Sequence, residues 1–352
     1  MKISIIIPVY NAEKTIRRAI SSIDTKQNYE IICINDGSED DSKFVLEQLQ
    51  KEYKNITIIN QENQGAAASR NVGIANMSGD VFMFLDADDE FLPSRIDFMA
   101  DYYQRDENVD IVIGQIAREN NGDWQSIYSH EAIKKLETVN IAQCPEVMQS
   151  IGPGAKMFSA KFADLRFDED VVFCEEHTFI IQAYKKARDI QLLPDIVYGY
   201  NEQAGSVTDQ LANQFESYIR DAEKVRARVM DTLLLREARI YYSYRMDELI
   251  VSYLIQAYVG QHKTVTQKML DLVISYIKEM QKTDYAGEAL FRIIKVIEQG
   301  SGKWNKALYY QWRDALLSVG IGRPNYYRFK VEVLPRCAKF RSKMKLKQIL
   351  KR

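Results

Sequence analysis

The strongest constraint on this chain is an alternation that runs through roughly its first 90 residues. Ile3 to Ile7, Tyr29 to Asn35, Ile56 to Asn60 and Val81 to Leu85 are short strand-like runs, each leading into a polar cluster. Between them lie segments of helical character. Ala12 to Ile23 puts Ile16, Ala19, Ile20 and Ile23 on one face, Asp40 or Asp41 can cap a helix through Tyr53, and Gln64 to Gly73 is a small-residue helix entered at a glycine. Apolar runs without alternation, such as Ile3 to Ile7, suit strands covered on both faces. Strands and helices joined by short connections predict an α/β fold with a doubly wound, mainly parallel sheet. Ligands of such sheets bind at the carboxyl ends of the strands, where this chain carries its polar clusters.

One strand end stands out. Phe82-Met83-Phe84-Leu85-Asp86-Ala87-Asp88-Asp89-Glu90-Phe91 delivers four acids within five positions. Carboxylates this close repel one another unless a cation lies among them, and hard oxygen ligands suit Mg²⁺ or Mn²⁺. A solvated acidic turn leading into a helix capped by Ser94 satisfies the same ten residues, which do not choose between the two readings.

Beyond this stretch, a helix from Pro93 to Tyr103 and a strand from Val109 to Gln115 extend the sheet, and Ile190 to Val197 is a further strand. Residues 117–150 lose periodicity and read as a substrate-facing insertion. From about Gln210 the pattern turns helical, with segments near 214–235, 237–260, 264–282 and 285–299. The domains expected are 1–210, a helical domain 211–322, and a tail 323–352. That tail holds eleven Lys/Arg against Glu332 alone, leaving 36 basic and 48 acidic residues before it. With Phe340, Met344, Leu346, Ile349 and Leu350 among its cations, it reads as a basic amphipathic helix for an anionic membrane surface. No nucleic-acid-binding signature accompanies it, so a nucleic-acid partner is not expected. No window is apolar enough to span a bilayer, Met1 to Pro8 reads as a strand and not a leader, and Cys33, Cys144, Cys174 and Cys337 are too scattered for a zinc site. A cytoplasmic protein, peripheral at the inner face of the cell membrane, is the expectation. No GxGxxG follows the first strand, which speaks against a dinucleotide-dependent oxidoreductase.

Pro8-Val9-Tyr10-Asn11, Asn35-Asp36-Gly37-Ser38, Gly65 to Asn71, Asp86-Ala87-Asp88-Asp89 and the later Glu175-Glu176 occur in one order and spacing. In combination they resemble a family 2 glycosyltransferase of the GT-A fold over about residues 1–208. Within that family the likeness is to bacterial enzymes that decorate wall teichoic acids or build surface polysaccharides. The resemblance implies inverting transfer of a hexose or N-acetylhexosamine from a UDP-sugar donor to a hydroxyl of a glycan or lipid-linked acceptor, aided by Mn²⁺ or Mg²⁺. It assigns Pro8, Tyr10 and Asn11 to the nucleoside pocket, Asp36 to the uracil imide, and Arg70 and Asn71 to the base and ribose or diphosphate. Asp86 falls to the ribose, Asp88 to the metal and Asp89 to sugar hydroxyls.

An inverting transfer needs a base for the acceptor hydroxyl. By the same resemblance that base is Glu176, with Glu175 its neighbour. The family usually carries Asp there, and Glu lengthens the arm by one methylene, about 1.5 Å. His177 is a further candidate contact to diphosphate or metal. Ser206 stands where a phosphate-facing serine is expected, whereas the usual arginine is replaced by Gln203, with Arg70 or Lys156 as substitute cation. The helical half, rich in aromatics at Tyr241 to Tyr244 and Tyr309 to Trp312, is a candidate homo-oligomer interface. Two alternatives share the fold: transfer to a protein or peptide side chain, and a non-catalytic nucleotide-binding protein.

Overall fold

The computed structural model describes residues 1–120, 123–201, 213–249 and 266–282, together with Tyr310, Asp314 and Leu317. Ser206, Gln203, the 285–299 helix and the basic tail lie outside the described residues. The chain divides into two compact units, one of Met1–Gln203 with Arg228–Ala238, the other of Ala204–Ala227 with Arg239–Arg352.

The first unit is built on one mixed sheet. Strands β1 (Lys2–Val9), β2 (Asn28–Asp36), β3 (Ile56–Gln61) and β4 (Val81–Phe84) are mutually parallel in the order β3-β2-β1-β4. Between them run α1 (Ile16–Ser21), α2 (Ser42–Glu52) and α3 (Gly65–Asn76). The expected alternation is therefore present, with α1 shorter than its apolar pattern. Next come β5 (Glu90–Phe91), α4 (Arg95–Arg105), β6 (Val109–Asn120), β7 (Asp123–Ser126), β8 (Glu137–Val139), β9 (Lys156–Ser159), α5 (His177–Lys186) and β10 (Asp189–Tyr200). The sheet continues β4-β9-β6-β10-β5, with β9 antiparallel to β4 and β6, and β10 parallel to β6. Residues 117–150 form a hairpin of β6 with β7, two 3₁₀ turns and β8, which pairs with β10. Ser94 makes no cap bond to α4; its amide donates to Asp24 Oδ2 instead (3.2 Å).

Strand β4 shows why the runs are continuously apolar. Val81 and Met83 join Leu85, Ile96 and Met99 in the core on one face. Phe82 and Phe84 join Phe158, Phe167 and Phe179 in an aromatic layer, where Phe167 stacks on Phe179 at 4.2 Å between ring centroids. Each phenyl ring removes on the order of 150–250 Å² of surface from water, so this layer fixes the site's floor firmly. Helix α3 lies close over β1, and a methyl group at Gly73 would meet Ile6 Cγ2 at 2.2 Å. Only a glycine fits there. That close approach lets Arg70, one turn away, reach over the strand ends.

The second unit contains most of α6 (Phe215–Thr232) and α7 (Arg236–Leu249), together with α8 (Gln267–Gln281). Within it, Ile219, Ala222 and Val225 are buried, as are Val273, Tyr276 and Ile277. Arg226 donates to Ser243 Oγ (2.8 Å) and to the Glu279 carbonyl (3.2 Å), tying the three helices together.

Candidate active site

The acidic stretch leaves the sheet at Leu85, whose amide still bonds Ile6 O (3.0 Å), and then turns through an Asp89 amide to Asp86 carbonyl bond (3.0 Å). The turn separates the acids. Asp89 points inward, 1% exposed, and accepts the Asn201 amide (2.9 Å). Burial, reinforced by Asp86, pushes its carboxyl up to about 8. Asp88 is likewise pushed above the usual carboxylate range, by burial and then by Asp86, with Arg18 opposing. Arg18 donates to the Asp88 carbonyl (2.5 Å) and lies 3.9 Å from Glu90. Tyr198 Oη accepts the Asp86 amide (3.1 Å) and so holds the turn against β10.

Helix α3 supplies the cation. Arg70 is 6% exposed and divides its guanidinium between two carboxylates, Nη2 to Asp86 Oδ1 (3.0 Å) and Nη1 to Glu175 Oε1 (3.1 Å). It also lies over the Phe167 ring, 5.5 Å from the centroid. Burial acts to lower its proton affinity, but Asp86 and Glu175 outweigh that and raise it. Asp86 and Glu175, 89 positions apart in sequence, thus meet on one side chain.

Asp36 anchors the start of the same helix. Its Oδ1 accepts from Gln61 Nε2 (2.8 Å) and the Gln64 amide (2.9 Å), and its Oδ2 from the Gly65 amide (2.8 Å). Three of the roughly four acceptor positions of a carboxylate are thereby used, leaving one for a ligand N–H. Asn71 is committed within the chain. Its Oδ1 accepts the Phe167 amide (2.8 Å), while Nδ2 donates to Phe167 O (3.0 Å) and Glu169 (2.7 Å). It pins the segment ahead of Glu175 instead of standing open beside the base or ribose. Tyr10 is 49% exposed at the end of β1. Asn11, at φ +48°, accepts the Glu39 amide (2.8 Å) and donates its own amide to Ser38 Oγ (3.1 Å). Pro8 lies within β1 opposite Ile34.

The other wall comes from the segment before α5. Cys174 takes left-handed backbone (φ +66°), unusual for a side-chain-bearing residue and costing on the order of 1 kcal/mol or more. It turns Glu175 toward Arg70. Glu176 is the N-cap residue of α5, and His177, 2% exposed, follows with Nε2 3.9 Å from Glu176 Oε1. Burial, then Glu176, push the Glu175 carboxyl up to about 8 against the pull of Arg70. Lys156 is fully buried, donating to Ser150 Oγ (2.6 Å), Gly152 O (2.5 Å) and Gly154 O (3.3 Å). Burial lowers its ammonium to about 7, and Glu176 acts in the opposite sense. A lysine so enclosed supports the wall and cannot replace the arginine missing at Gln203 as a phosphate contact.

Among the described residues, no three His, Cys, Asp or Glu side chains form a metal cage. The donor set nevertheless fits a hard divalent ion. Mg²⁺ is typically held by one or two carboxylates plus substrate phosphates, and a cation beside Asp88 and Asp86 would offset both the burial and the lesser repulsion from Asp86 that raise the Asp88 carboxyl.

A fold with strand-end carboxylates and a downstream glutamate pair agrees with what the chain resembles. TagX of Staphylococcus aureus (strain MSSA476), a candidate glycosyltransferase by name, is 34% identical over 354 aligned residues, spanning 99% of this chain and 100% of TagX. The chain belongs to glycosyltransferase family 2. The family model described as Glycosyl transferase family 2 matches residues 4–170 of this transferase. The poly(ribitol-phosphate) beta-glucosyltransferase of Bacillus spizizenii is 30% identical over 209 residues, 57% of this chain and 32% of that protein. Among solved structures, S. aureus TarS 1–349 in complex with UDP-GlcNAc superposes with a TM-score of 0.62 at 18% identity, covering 91% of this chain and 89% of that one. At that identity the likeness supports the GT-A fold of the transferase.

Asp36, Arg70, Asp86, Asp88, Asp89, Glu175 and Glu176 all fall at the ends of strands or on the elements that face them. Arg18, Gln61, Glu169 and Asn201 were not singled out in the sequence. Arg18 looked like any solvated helix cation. Asn201 sits directly after the last sheet strand, Asp189–Tyr200, and strand ends are where ligands of such sheets bind.

Proposed function

We propose that this transferase moves a hexose or N-acetylhexosamine from a UDP-sugar to a hydroxyl of a cell-surface glycopolymer or lipid-linked acceptor, with inversion at the anomeric carbon. The observation that carries this reading is the Arg70 bridge, which joins a strand-end carboxylate, Asp86, to the carboxylate pair at α5. Donor-side and acceptor-side groups must converge for a single displacement, and these do.

In this reading Tyr10 lies against the uracil, the remaining lone pair of Asp36 accepts its imide N–H, and Asp86 orients the ribose. Asp89, buried in the same turn, is the carboxyl we assign to the sugar hydroxyls. Glu176 takes the acceptor proton while the acceptor oxygen forms its bond to the anomeric carbon and the bond to the UDP oxygen breaks. A divalent ion held by Asp88 and the diphosphate would supply neutralisation of the charge left on UDP. Polyol-phosphate acceptors are suggested by the name of the B. spizizenii relative, and a UDP-sugar donor by the UDP-GlcNAc complex of TarS. No helix among the described residues is long and apolar enough to cross a membrane, and the basic tail is the segment we assign to an anionic membrane surface.

The test is a thermal-shift panel of nucleotide sugars with and without Mn²⁺, followed by UDP-release assays of the stabilising ones. A UDP-sugar should raise the Tm, more so with Mn²⁺, and excess chelator should abolish UDP release. A panel without any shift would remove the donor assignment, and full turnover in chelator would remove the metal. Binding without UDP release, with or without an added acceptor, would favour a non-catalytic nucleotide-binding protein.

A further inference from the structure

Glu175 and Glu176 end a segment, residues 165–176, that contains no helix or strand. Its geometry is held by side chains, and Asp168 is the hub. The Asp168 amide donates to Glu175 O (3.3 Å), and Asp168 Oδ2 accepts from Thr178 Oγ1 (2.6 Å) in the first turn of α5. Arg228 Nη1 lies 3.1 Å from that same Asp168 oxygen. The guanidinium also grips Asp170 in a two-pronged pair, Nη1 to Oδ1 (2.8 Å) and Nη2 to Oδ2 (2.7 Å). Arg228 comes from the last turns of α6, nearly 60 residues beyond the end of the family match at residue 170, yet belongs to the same compact unit as the sheet.

We propose that Arg228 is a positioning residue for glycosyl transfer, clamping the Asp168–Asp170 turn so that the Glu175–Glu176 carboxylates are held at the strand ends. The inference rests on Glu176 being the base. Partly exposed ion pairs contribute little to stability as a rule, so the value of this one is geometric. A planar fork fixes two carboxylates in direction as well as distance. One of them, Asp168, bonds both the carbonyl of Glu175 and the start of the helix that Glu176 caps. Misplacement of a catalytic group by about 1 Å is enough to cost on the order of a hundredfold in rate.

The experiment uses the full chain with UDP-GlcNAc, Mn²⁺ and, as acceptor, poly(ribitol phosphate) or water, alongside amide hydrogen exchange. Arg228→Met should lower kcat for UDP release at least about tenfold, with KM for UDP-GlcNAc changed less than about twofold. Peptides covering 165–178 should exchange faster while those covering 81–91 stay as in wild type. Arg228→Lys should recover part of the rate, because an ammonium cannot reproduce the fork. Arg220→Met, which removes an exposed pair with Glu216 on the same helix, should behave as wild type. A kcat for Arg228→Met within about twofold of wild type, or unchanged exchange over 165–178, would overturn the proposal. If wild-type protein releases no UDP, the functional reading fails on its own, and the exchange data still decide the clamp either way.

Discussion

The two walls of the site are built by different means. The wall we assign to the donor, from β1 to β4, consists of residues placed by regular elements. Asp36, Asp86 and Asp88 stand at or just beyond the ends of parallel strands, and their spacing follows from strand and helix lengths. The wall we assign to the acceptor is built from irregular chain between β9 and α5 and is stabilised one contact at a time. Asn71 holds Phe167, Arg228 holds Asp168 and Asp170, Lys156 holds the Ser150–Gly154 turn, and a left-handed Cys174 aims the glutamates. Repeating backbone can position a donor site of fixed shape. An acceptor site that differs between enzymes is better carried on chain whose path side chains can reset.

Helix α3 is where the two constructions meet, so substitutions there probe the contrast most severely. Arg70→Met leaves Asp86 and Glu175, both only partly buried, without their shared cation. Screening by solvent reduces the cost below that of a fully buried pair, and a loss of about 2–3 kcal/mol is expected in denaturant unfolding, together with loss of activity. A loss below about 1 kcal/mol would mean that the walls are held independently. Asn71→Ala acts on the acceptor wall alone. It leaves the Phe167 amide and carbonyl without partners, so about 1–3 kcal/mol of stability should be lost while UDP binding is kept. Weakened UDP binding instead would place Asn71 in the donor wall.

A third effect is one of pH. Glu175 titrates near 8 in the folded protein, above its ordinary value, through burial and the adjacent Glu176. Folding therefore takes up a proton at this position, and the associated stability, present below about pH 4.5, is lost as pH rises toward 8. Glu175→Gln removes this dependence. The difference in Tm between variant and wild type should move in the variant's favour from pH 5 to pH 8. A difference that is flat or opposite in sign would mean that Arg70 keeps Glu175 ionised throughout.

The same contrast explains what could be read from the sequence. The donor wall was legible because apolar runs mark the strands and polar clusters mark their ends, so the pattern alone puts Asp36 and Asp86 to Asp89 at the edge of the sheet. Arg70 was legible as a cation on the helix that faces the strand ends but not as a bridge, since its second partner lies 105 positions away. Asn71 reads as a ligand contact in the motif, yet its amide is spent on the chain's own backbone, an outcome that depends on how residues 165–170 fold back. Lys156 looked like a free cation, and only its enclosure by three oxygens shows otherwise. Arg228 carried no local signal at all. Pairings across long sequence separations are set by tertiary packing, which no periodicity records.

We assign Glu176 to remove the acceptor proton and the opposite wall to bind UDP. The most direct test is UDP release from the stabilising UDP-sugar by Glu176→Gln, with UDP affinity measured on the same sample. Turnover should fall about 10²–10⁴-fold with UDP affinity unchanged. Turnover equal to wild type would contradict the assignment.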